Sequence, residues 1–429
     1  MTGLKNTSLI YRLVSTFSLG LVMFFFLFAM GEALQTALLF SVLYLGGISL
    51  FAFCEKTDNI SLLFIFASVA ALICIRVTLL PFASRDYNVF LSVWLEKMRE
   101  YEGLEALRVK IGDYNMPYLY FLFILSKLKL NDLVLIKWFS CIFDFILAFF
   151  VMKCVGEKSD NKLLRYGAFI AALATPTVLM NSAYWGQCDS ILAAFCVASF
   201  YFILKGNGKW ATVMFALAFS VKLQAIFILP AFIVAVILKR IKLKELLLLP
   251  LTFIATLLPA IIVGRPIKDT IGIYFLQTTQ YPELTLNAPS IFQFVSKKAD
   301  FETFNFLGIM LAGLGALSLI YVCFYFKDKI GEKQLVSIFY LSALLLPFLL
   351  PRMHERYFFI GDMLGIIFLF YNPNKWYLPF MSIFASYNAC ANYLSGGNLL
   401  MSQKYTAIML LITIIILTKT LIYELKSCR

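Results

Sequence analysis

Apolar runs long enough to cross a lipid bilayer follow one another from about residue 10 to the C-terminus. Because the hydrocarbon offers backbone groups no hydrogen-bonding partner, only helices and closed barrels span it. Continuous runs of this length indicate helices, since barrel strands alternate apolar and polar positions. The pattern predicts an all-α polytopic membrane protein with about 13–14 transmembrane helices. Residues 114–129 are too few for a full span and predict a short, broken or re-entrant helix.

Lysine and arginine gather in five short polar segments, at 153–165, 205–209, 239–244, 327–333 and 426–429. Short loops rich in these residues stay on the cytoplasmic side of a membrane. Alternation of the helices then puts four other segments outside: 83–113, 184–190, 266–302 and the PRMHERY sequence at 351–357. The two long non-cytoplasmic loops are 83–113 and 266–302. The first carries five basic and six acidic residues, so it shows no positive bias.

The first outer loop contains a stretch with helical spacing of large side chains. Apolar residues recur there every three or four positions, at Phe90, Trp94, Met98 and Tyr101. This spacing predicts a helix that lies in the plane of the lipid headgroups. Its tryptophan and tyrosine are then expected to be interfacial anchors.

The predicted topology suggests a division of the chain into four parts. Residues 1–59 form two additional N-terminal helices, and we interpret the first as a retained helix because no small-residue cleavage pattern follows it. Residues 60–265 form a core that includes the first outer loop, 83–113. Residues 266–302 form the second outer loop, and 303–429 form a C-terminal transmembrane module that carries PRMHERY.

The composition narrows the possible partners. The chain is 61% hydrophobic and 14% charged, with a formal net charge of +13. Such a charge would suggest nucleic acid in a soluble protein, but here the excess lies in the cytoplasmic loops. We therefore expect the chain to interact with the lipid bilayer and not with nucleic acid. The nine cysteines lie mostly within apolar runs and form no CxxC pair, which argues against metal or disulfide use.

Polar side chains concentrate at the predicted outer ends of the helices. They are Arg85, Asp86, Asp113, Tyr114, Gln187, Asp189, Lys222, Gln224, Asn287, Arg352, His354, Glu355 and Arg356. Many loop charges are simply solvated, but Lys222 divides a long apolar stretch, where a cation is costly unless it has a partner or a function. Within the apolar runs, we expect Arg76 to snorkel to the interface and Asp144 to be paired structurally.

A carboxylate that faces several cations at a membrane surface suits group transfer from an anionic lipid donor. The carboxylate can act as general base on an acceptor hydroxyl, and the cations can stabilise the phosphate that leaves. His354, the only histidine in the chain, can hydrogen-bond or protonate that phosphate because an imidazole titrates near neutral pH. These residue types define an anionic donor and a base, and they do not by themselves identify a sugar.

Six motifs in order extend this hypothesis: SRDY, GDYNMPYLY, YWGQCDS, KLQA, NAPS and PRMHERYFF. Together they resemble the GT-C superfamily of membrane glycosyltransferases. The nearest similarity is to the bacterial group that resembles the second mannosyltransferase of GPI-anchor synthesis. The resemblance covers about residues 72–360 and implies a GT-C fold. Met116 stands where the family's GDYxPPYLY motif has its first proline, which loosens a rigid turn.

The resemblance also implies roles for the polar residues. Asp86 falls on the acidic residue that serves the family as catalytic base. The donor phosphate is then held by Arg352, His354 and Arg356, with Lys222. The pocket and acceptor residues are Arg85, Asp113, Tyr114, Gln187, Asp189, Gln224, Asn287 and Glu355. No second acid stands two positions from Asp86, so we expect neither a divalent cation nor another cofactor.

The implied function is transfer of a single sugar, a hexose or an N-acetylhexosamine, from a polyprenyl-phosphate donor to a cell-surface glycan or a lipid-linked acceptor. Transfer would invert the anomeric carbon, because one base serves one displacement. The active site would face the extracytoplasmic side of a bacterial plasma membrane, and a separate upstream enzyme would make the donor. Two alternatives remain open: a flippase for a lipid-linked saccharide, and a polymerase or ligase for lipid-linked oligosaccharides.

Overall fold

The computed structural model describes residues 2–54, 59–274, 281–296, 298–397 and 400–427, and most of these residues are helical. The α-helices are Thr2–Ala29, Leu34–Ser49, Asn59–Leu79, Ser92–Arg99, Glu105–Arg108, Met116–Ser126, Asp132–Lys158, Lys162–Ala174, Pro176–Leu179, Asp189–Leu204, Gly208–Val221, Leu229–Ile237, Leu248–Val263, Lys268–Ile271, Phe301–Tyr325, Glu332–Leu349, Phe359–Tyr371, Tyr377–Leu394 and Gln403–Ser427. Short π- or 3-10 segments continue or connect them at Leu50–Cys54, Tyr87–Leu91, Met180–Trp185, Leu223–Ile228, Leu243–Leu247, Ile291–Phe294, Lys327–Lys329 and Pro373–Lys375. The all-α polytopic class is confirmed.

Within the described ranges, eight helical segments are long and apolar enough to cross a membrane; they end at Ala29, Phe53, Leu79, Lys158, Val263, Tyr325, Leu349 and Ser427. The count becomes nine when Lys162–Ala174 and Pro176–Trp185, which meet at a bend of 46°, are taken as one span. Five apolar segments are shorter: Met116–Ser126, Asp189–Leu204, Gly208–Val221, Leu223–Ile237 and Phe359–Tyr371. At about 1.5 Å per residue they fall short of a hydrocarbon thickness of about 30 Å. The short helix expected within 114–129 is confirmed, and the total of 13–14 spans stays a prediction.

Asparagine side chains determine where several helices begin. Asn115, Asn131, Asn161 and Asn207 each accept a hydrogen bond from a backbone N–H group in the first turn of the helix that follows. Such caps satisfy donors that the helix leaves unpaired, and each contributes about 1 kcal/mol. Asn115 also donates to the hydroxyl of Tyr274 at 3.0 Å. It thereby ties the start of its helix to the second outer loop.

A buried ion pair connects helices in the interior of the bundle. The side chains of Arg76 and Asp144 are fully buried, and their guanidinium and carboxylate lie 3.0 Å apart. The hydroxyls of Ser182 and Ser190 donate to the same carboxylate at 2.5 and 2.6 Å. The structural pairing expected for Asp144 is therefore present. The expectation that Arg76 snorkels to the interface is wrong, because a carboxylate within reach compensates its charge in the interior.

A second buried cation holds the end of the helix Asn59–Leu79. The ammonium of Lys137 donates to the carbonyl oxygens of Leu79, Leu80 and Phe82 at 3.3, 2.8 and 2.6 Å. Carbonyls at a helix C-terminus lack intrahelical partners and carry partial negative charge, so a cation there is stabilising. The contact fixes the turn that leads from this helix into the first outer loop.

Two short strands join the second outer loop to the PRMHERY loop. Thr285–Leu286 pairs in parallel with Met353–His354, and Asn287 forms an antiparallel bridge to His354. Arg352 and Asn287 adopt left-handed backbone angles, with φ of 63° and 62°, which are costly for residues that carry a side chain. The strand pairing compensates for that cost and keeps both loops in place.

Removing Asp144 would leave Arg76 buried without a counter-charge. We expect the Asp144→Ala variant to lose about 3–5 kcal/mol of stability. Unfolding in detergent, measured by intrinsic fluorescence, should occur at a lower temperature than in the wild type. The control is Asp160→Ala, which removes an exposed carboxylate and should unfold like the wild type. Equal unfolding temperatures for Asp144→Ala and the wild type would contradict a structural role for the pair.

Candidate active site

One cavity of about 760 Å³ lies between loops and helix ends. All four segments that the sequence predicted to lie outside contribute lining side chains, and so does the helix Tyr377–Leu394. The lining includes twelve of the thirteen candidate residues: Arg85, Asp86, Asp113, Tyr114, Gln187, Lys222, Gln224, Asn287, Arg352, His354, Glu355 and Arg356. Asp189 lies behind this wall, in contact with Lys222 and Arg356.

Asp86, at the helical start of the first outer loop, accepts three hydrogen bonds. Its Oδ2 atom accepts from the indole Nε1 of Trp185 at 3.0 Å and from Nε2 of Gln187 at 2.7 Å. Its Oδ1 atom accepts from the hydroxyl of Tyr393 at 2.9 Å. All three donors are neutral, so they orient the carboxylate and stabilise its charge without cancelling it.

Local chain geometry brings two of these donors to Asp86. The π-helical segment Met180–Trp185 ends at Gly186, whose φ of 80° is one that glycine adopts without strain. The resulting turn directs Trp185 and Gln187 toward the same carboxylate oxygen. Ser84 fixes the other side of the turn, because its hydroxyl donates to the carbonyl of Trp185 at 3.2 Å.

Four charged residues beside the cavity form a connected set, the charge quartet of Lys222, Asp189, Arg356 and Glu355. Asp189 accepts from the ammonium of Lys222 and lies 3.5 Å from Nε of Arg356. Arg356 in turn donates to Glu355 at 2.6 Å. Both carboxylates and Lys222 are buried, and a buried charge is costly unless it is paired. The pairing explains how a lysine can stand in the middle of an apolar stretch.

The helical structure is interrupted at Lys222, and the interruption places its side chain beside the cavity. The helix Gly208–Val221 ends before it, Lys222 itself is extended, and the 3-10 segment Leu223–Ile228 follows. The ammonium of Lys222 lies 5.2 Å from the centre of the Tyr114 ring, which is a cation–π contact. Burial raises the pKa of the Tyr114 hydroxyl above its ordinary value, so this ring stays neutral beside the cation.

His354 and Arg352 complete the basic side of the cavity. The ring of His354 lies 5.1 Å from that of Tyr357, centre to centre, and its Nδ1 atom lies 3.8 Å from Glu355. The guanidinium of Arg352 lies 5.0 Å above the ring of Phe301. Aromatic neighbours thus restrict the orientation of both side chains. An arginine and an imidazole held in this way suit a phosphate ligand.

Glu355 carries a charge although it is buried. Burial by itself would raise the pKa of Glu355, but the nearby His354 and the charge of Arg356 outweigh burial, so that the pKa lies below its ordinary value. A carboxyl group of this kind stabilises the fold above its unfolded pKa, and the contribution is lost as the pH falls through the folded value. Glu355 therefore stays anionic at neutral pH and holds Arg356 in place.

The possible metal ligands are scattered through the described part of the chain. Among those residues, no three His, Cys, Asp or Glu side chains lie together in a way that could hold a metal ion. The seven cysteines with described side chains are unpaired; they are Cys74, Cys141, Cys154, Cys188, Cys196, Cys323 and Cys390. The expected independence of metals and cofactors stays a prediction.

Two of the three donors to Asp86, Trp185 and Tyr393, were not among the candidates. Trp185 lies in the YWGQCDS motif, so the motif indicated its position. Nothing in the sequence indicated that its indole donates to Asp86. Tyr393 lies outside the six motifs, and its ring stacks on that of Trp185 at 5.2 Å. Only the packing of the helix Tyr377–Leu394 beside the cavity brings the Tyr393 hydroxyl to Asp86.

The fold and the site together define a multi-pass membrane protein with a charged cavity suited to an anionic substrate. A family model described as Glycosyltransferase family 87 matches residues 114–351, more than half of the chain. The chain belongs to this family, which is a GT-C-like family of membrane glycosyltransferases, and it is therefore a transferase of sugars. No curated protein matches the chain significantly.

The matched region begins after Asp86 and ends just before Arg352. The roles of Asp86 and of the PRMHERY loop therefore depend on the geometry of the cavity rather than on the family match. The similarity to the second mannosyltransferase of GPI-anchor synthesis stays a prediction. The four-part division of the chain and its orientation in the membrane stay predictions as well.

A double-mutant cycle tests the pairing inside the charge quartet. Lys222→Met leaves the buried Asp189 with one counter-charge fewer, so we expect a lower apparent unfolding temperature in detergent. Adding Asp189→Asn removes the unmatched carboxylate, and the double variant should regain part of the loss. The control Lys333→Met removes an exposed lysine that pairs with Glu424 and should cost at most about 1 kcal/mol. Losses that simply add would show that Lys222 and Asp189 act independently.

Proposed function

We propose that the protein transfers a single sugar from a polyprenyl-phosphate donor to a cell-surface glycan or a lipid-linked acceptor, on the extracytoplasmic side of the plasma membrane. The observation that carries the proposal is the position of Asp86. Three neutral donors hold this carboxylate in the same cavity as Arg352, His354 and Arg356. Activation of a hydroxyl and stabilisation of a leaving phosphate require this combination of groups.

Asp86 retains the capacity to bind an acceptor hydroxyl. An ionised carboxylate offers about four lone-pair positions, and the three hydrogen bonds from Trp185, Gln187 and Tyr393 occupy three of them. Oδ1 accepts from Tyr393 alone among the described side chains, so it keeps a position for the proton of the acceptor. Asp86 is also partly exposed to the cavity, where a substrate can reach it.

The cations that we assign to the donor side of the cavity have two different tasks. Lys222 and Arg356 already pair with carboxylates of the charge quartet, so they hold the wall of the site together. We assign the principal contact with the donor phosphate to Arg352 and His354. Arg356 contributes as well, because a guanidinium has five N–H donors and its two pairs do not use all of them.

The proposed reaction is a single displacement. Asp86 accepts the proton of the acceptor hydroxyl while the oxygen of that hydroxyl attacks the anomeric carbon. The bond between that carbon and the donor phosphate oxygen breaks. The electron pair leaves with the polyprenyl phosphate, whose charge is stabilised by Arg352, His354 and Arg356. Positive charge develops on the sugar ring as the bond breaks, and one displacement inverts the anomeric carbon.

The position and size of the cavity favour transfer of one sugar over the alternatives. A flippase for lipid-linked saccharides is expected to hold its ligand near the middle of the bilayer, whereas this cavity is lined by loops and helix ends. Its volume of about 760 Å³ lies within the range of about 300–1,000 Å³ found for small-ligand sites. A hexose or an N-acetylhexosamine is the donor sugar that we propose, supplied by a separate enzyme that charges the polyprenyl phosphate.

Asp86→Asn keeps the shape of the side chain and removes the base. The assay uses purified protein in liposomes, cell-wall glycans as acceptors, and polyprenyl phosphates that carry glucose, mannose, galactose or N-acetylglucosamine. We expect transfer to fall by at least about 100-fold with the wild-type unfolding temperature retained. The control Asp132→Asn alters a carboxylate that pairs with Arg99 outside the cavity and should leave transfer intact. Near-normal turnover by Asp86→Asn would rule out Asp86 as the base.

Arg352→Ala tests recognition of the donor. It removes a guanidinium that lines the cavity and leaves the charge quartet complete, so we expect the KM for the donor to rise about tenfold. The KM for the acceptor should change less. Arg99→Ala is the matched control, because its carboxylate partner lies outside the cavity. Equal losses for donor and acceptor would indicate general damage and not phosphate binding.

A further inference from the structure

Phe90 and Trp94 line the cavity beside Asp86, and the proposed reaction gives them no role. Helical structure is continuous from residue 85 to residue 99, with a π-helical segment at Tyr87–Leu91 and an α-helix at Ser92–Arg99. Side chains four residues apart on a helix share a face. Asp86, Phe90 and Trp94 therefore form one row along the helix, the outer-loop stripe, and all three of its members face the cavity.

The two aromatic rings of the stripe are fixed in place. The ring centres of Phe90 and Trp94 lie 5.9 Å apart, and Trp94 meets the ring of Tyr114 edge to face at 5.8 Å. Gly112 adopts a φ of 77°, and a Cβ atom there would come within 3.0 Å of the Trp94 indole. Another residue at this position would adopt a strained backbone conformation and crowd the ring. A rigid aromatic surface loses little conformational entropy when a ligand binds to it.

The exposure of these rings suggests that they contact a ligand. Phe90 is 38% exposed and Trp94 is half-buried, although both stand in a concave site. Apolar surface left open inside a cavity is typical of a ligand-binding position. Trp94 was expected to be an interfacial anchor, but its place in the cavity wall gives it access to substrate.

The neighbouring charges decide which substrate contacts the stripe. The first outer loop contributes the carboxylates of Asp86 and Asp113 and the guanidinium of Arg85 to the lining, whereas the PRMHERY loop contributes two arginines and the histidine. The arginines of the PRMHERY loop match a donor phosphate better than this wall does, and a polyprenyl chain has no hydroxyl to present to Asp86. A pyranose ring suits both features. Its C–H groups pack on the aromatic faces, and its hydroxyls donate to the carboxylates.

We propose that the outer-loop stripe is the acceptor subsite: a pyranose ring of the acceptor packs on Phe90 and Trp94 and presents a hydroxyl to Asp86. The inference rests on the proposed function, because it takes Asp86 as the base. It assigns the acceptor to carbohydrate and gives the acceptor and the donor phosphate different sets of residues. Trp94 then determines which acceptors the enzyme accepts, while Arg352 and His354 determine the donor.

Kinetics of the Trp94→Ala variant test the subsite. The donor is a polyprenyl-phosphate sugar, and the acceptors are methyl pyranosides of glucose, mannose, galactose and N-acetylglucosamine. We expect the KM for the acceptor to rise about tenfold and the KM for the donor by less than about twofold. Trp94→Phe keeps a ring against Gly112 and should be intermediate. A raised donor KM with an unchanged acceptor KM would overturn the proposal and assign the stripe to the polyprenyl chain.

A matched control and a binding experiment separate this inference from the proposed function. Trp210→Ala removes a tryptophan that is 52% exposed and does not line the cavity. Saturation-transfer NMR with the same methyl pyranosides and protein in nanodiscs needs no turnover. Ring-proton signals that are retained in Trp210→Ala and lost in Trp94→Ala would support the subsite even where no donor is consumed, and only the proposed reaction would then fail. No signal for any pyranoside, or equal signals from the wild type and Trp94→Ala, would overturn the inference.

Discussion

The buried carboxylate of Asp189 is the constraint on which the cavity depends. It accepts hydrogen bonds from Lys222 and from Asn181, and it lies 3.5 Å from Nε of Arg356. These partners come from a break between two helices, from a π-helical segment and from the PRMHERY loop. Because a buried charge is costly without a partner, the contacts at Asp189 stabilise the arrangement of these three elements at the wall of the cavity.

The same network reaches Asp86 through one side chain. The guanidinium of Arg356 lies 5.3 Å from the centre of the Trp185 ring, and the indole Nε1 of Trp185 donates to Asp86. The residues that we assign to donor phosphate and to proton transfer are therefore linked by a tryptophan that is fully buried. Trp185 therefore packs against the charge quartet on one side and orients Asp86 on the other.

Hydropathy and charge placement predict much of this protein, but they do not predict which residues become partners. Ionisable residues within or at the ends of membrane spans usually have a function. Twelve of the thirteen candidates chosen on this ground line one cavity. Tyr393 was not a candidate because tyrosine counts as apolar in a hydropathy pattern. Only the packed structure shows that its hydroxyl donates to Asp86. Arg76 is buried because Asp144 compensates its charge, and no local sequence pattern reveals a partner that is 68 residues away. The paired strands Thr285–Leu286 and Met353–His354 are too short to produce an alternating pattern.

The hydrogen bond from Tyr393 to Asp86 joins residues that are 307 positions apart, and this separation has a consequence for biosynthesis. Chains are made from the N-terminus at about 5–20 residues per second, so Asp86 is made roughly 15–60 s before Tyr393. Throughout that interval the carboxylate lacks at least the donor on Tyr393, because the helix Tyr377–Leu394 has not yet been made. A nascent chain therefore holds an incomplete site while its earlier helices are already inserted. Sugar transfer becomes a property of the late stages of assembly, when the helix that carries Tyr393 has joined the bundle.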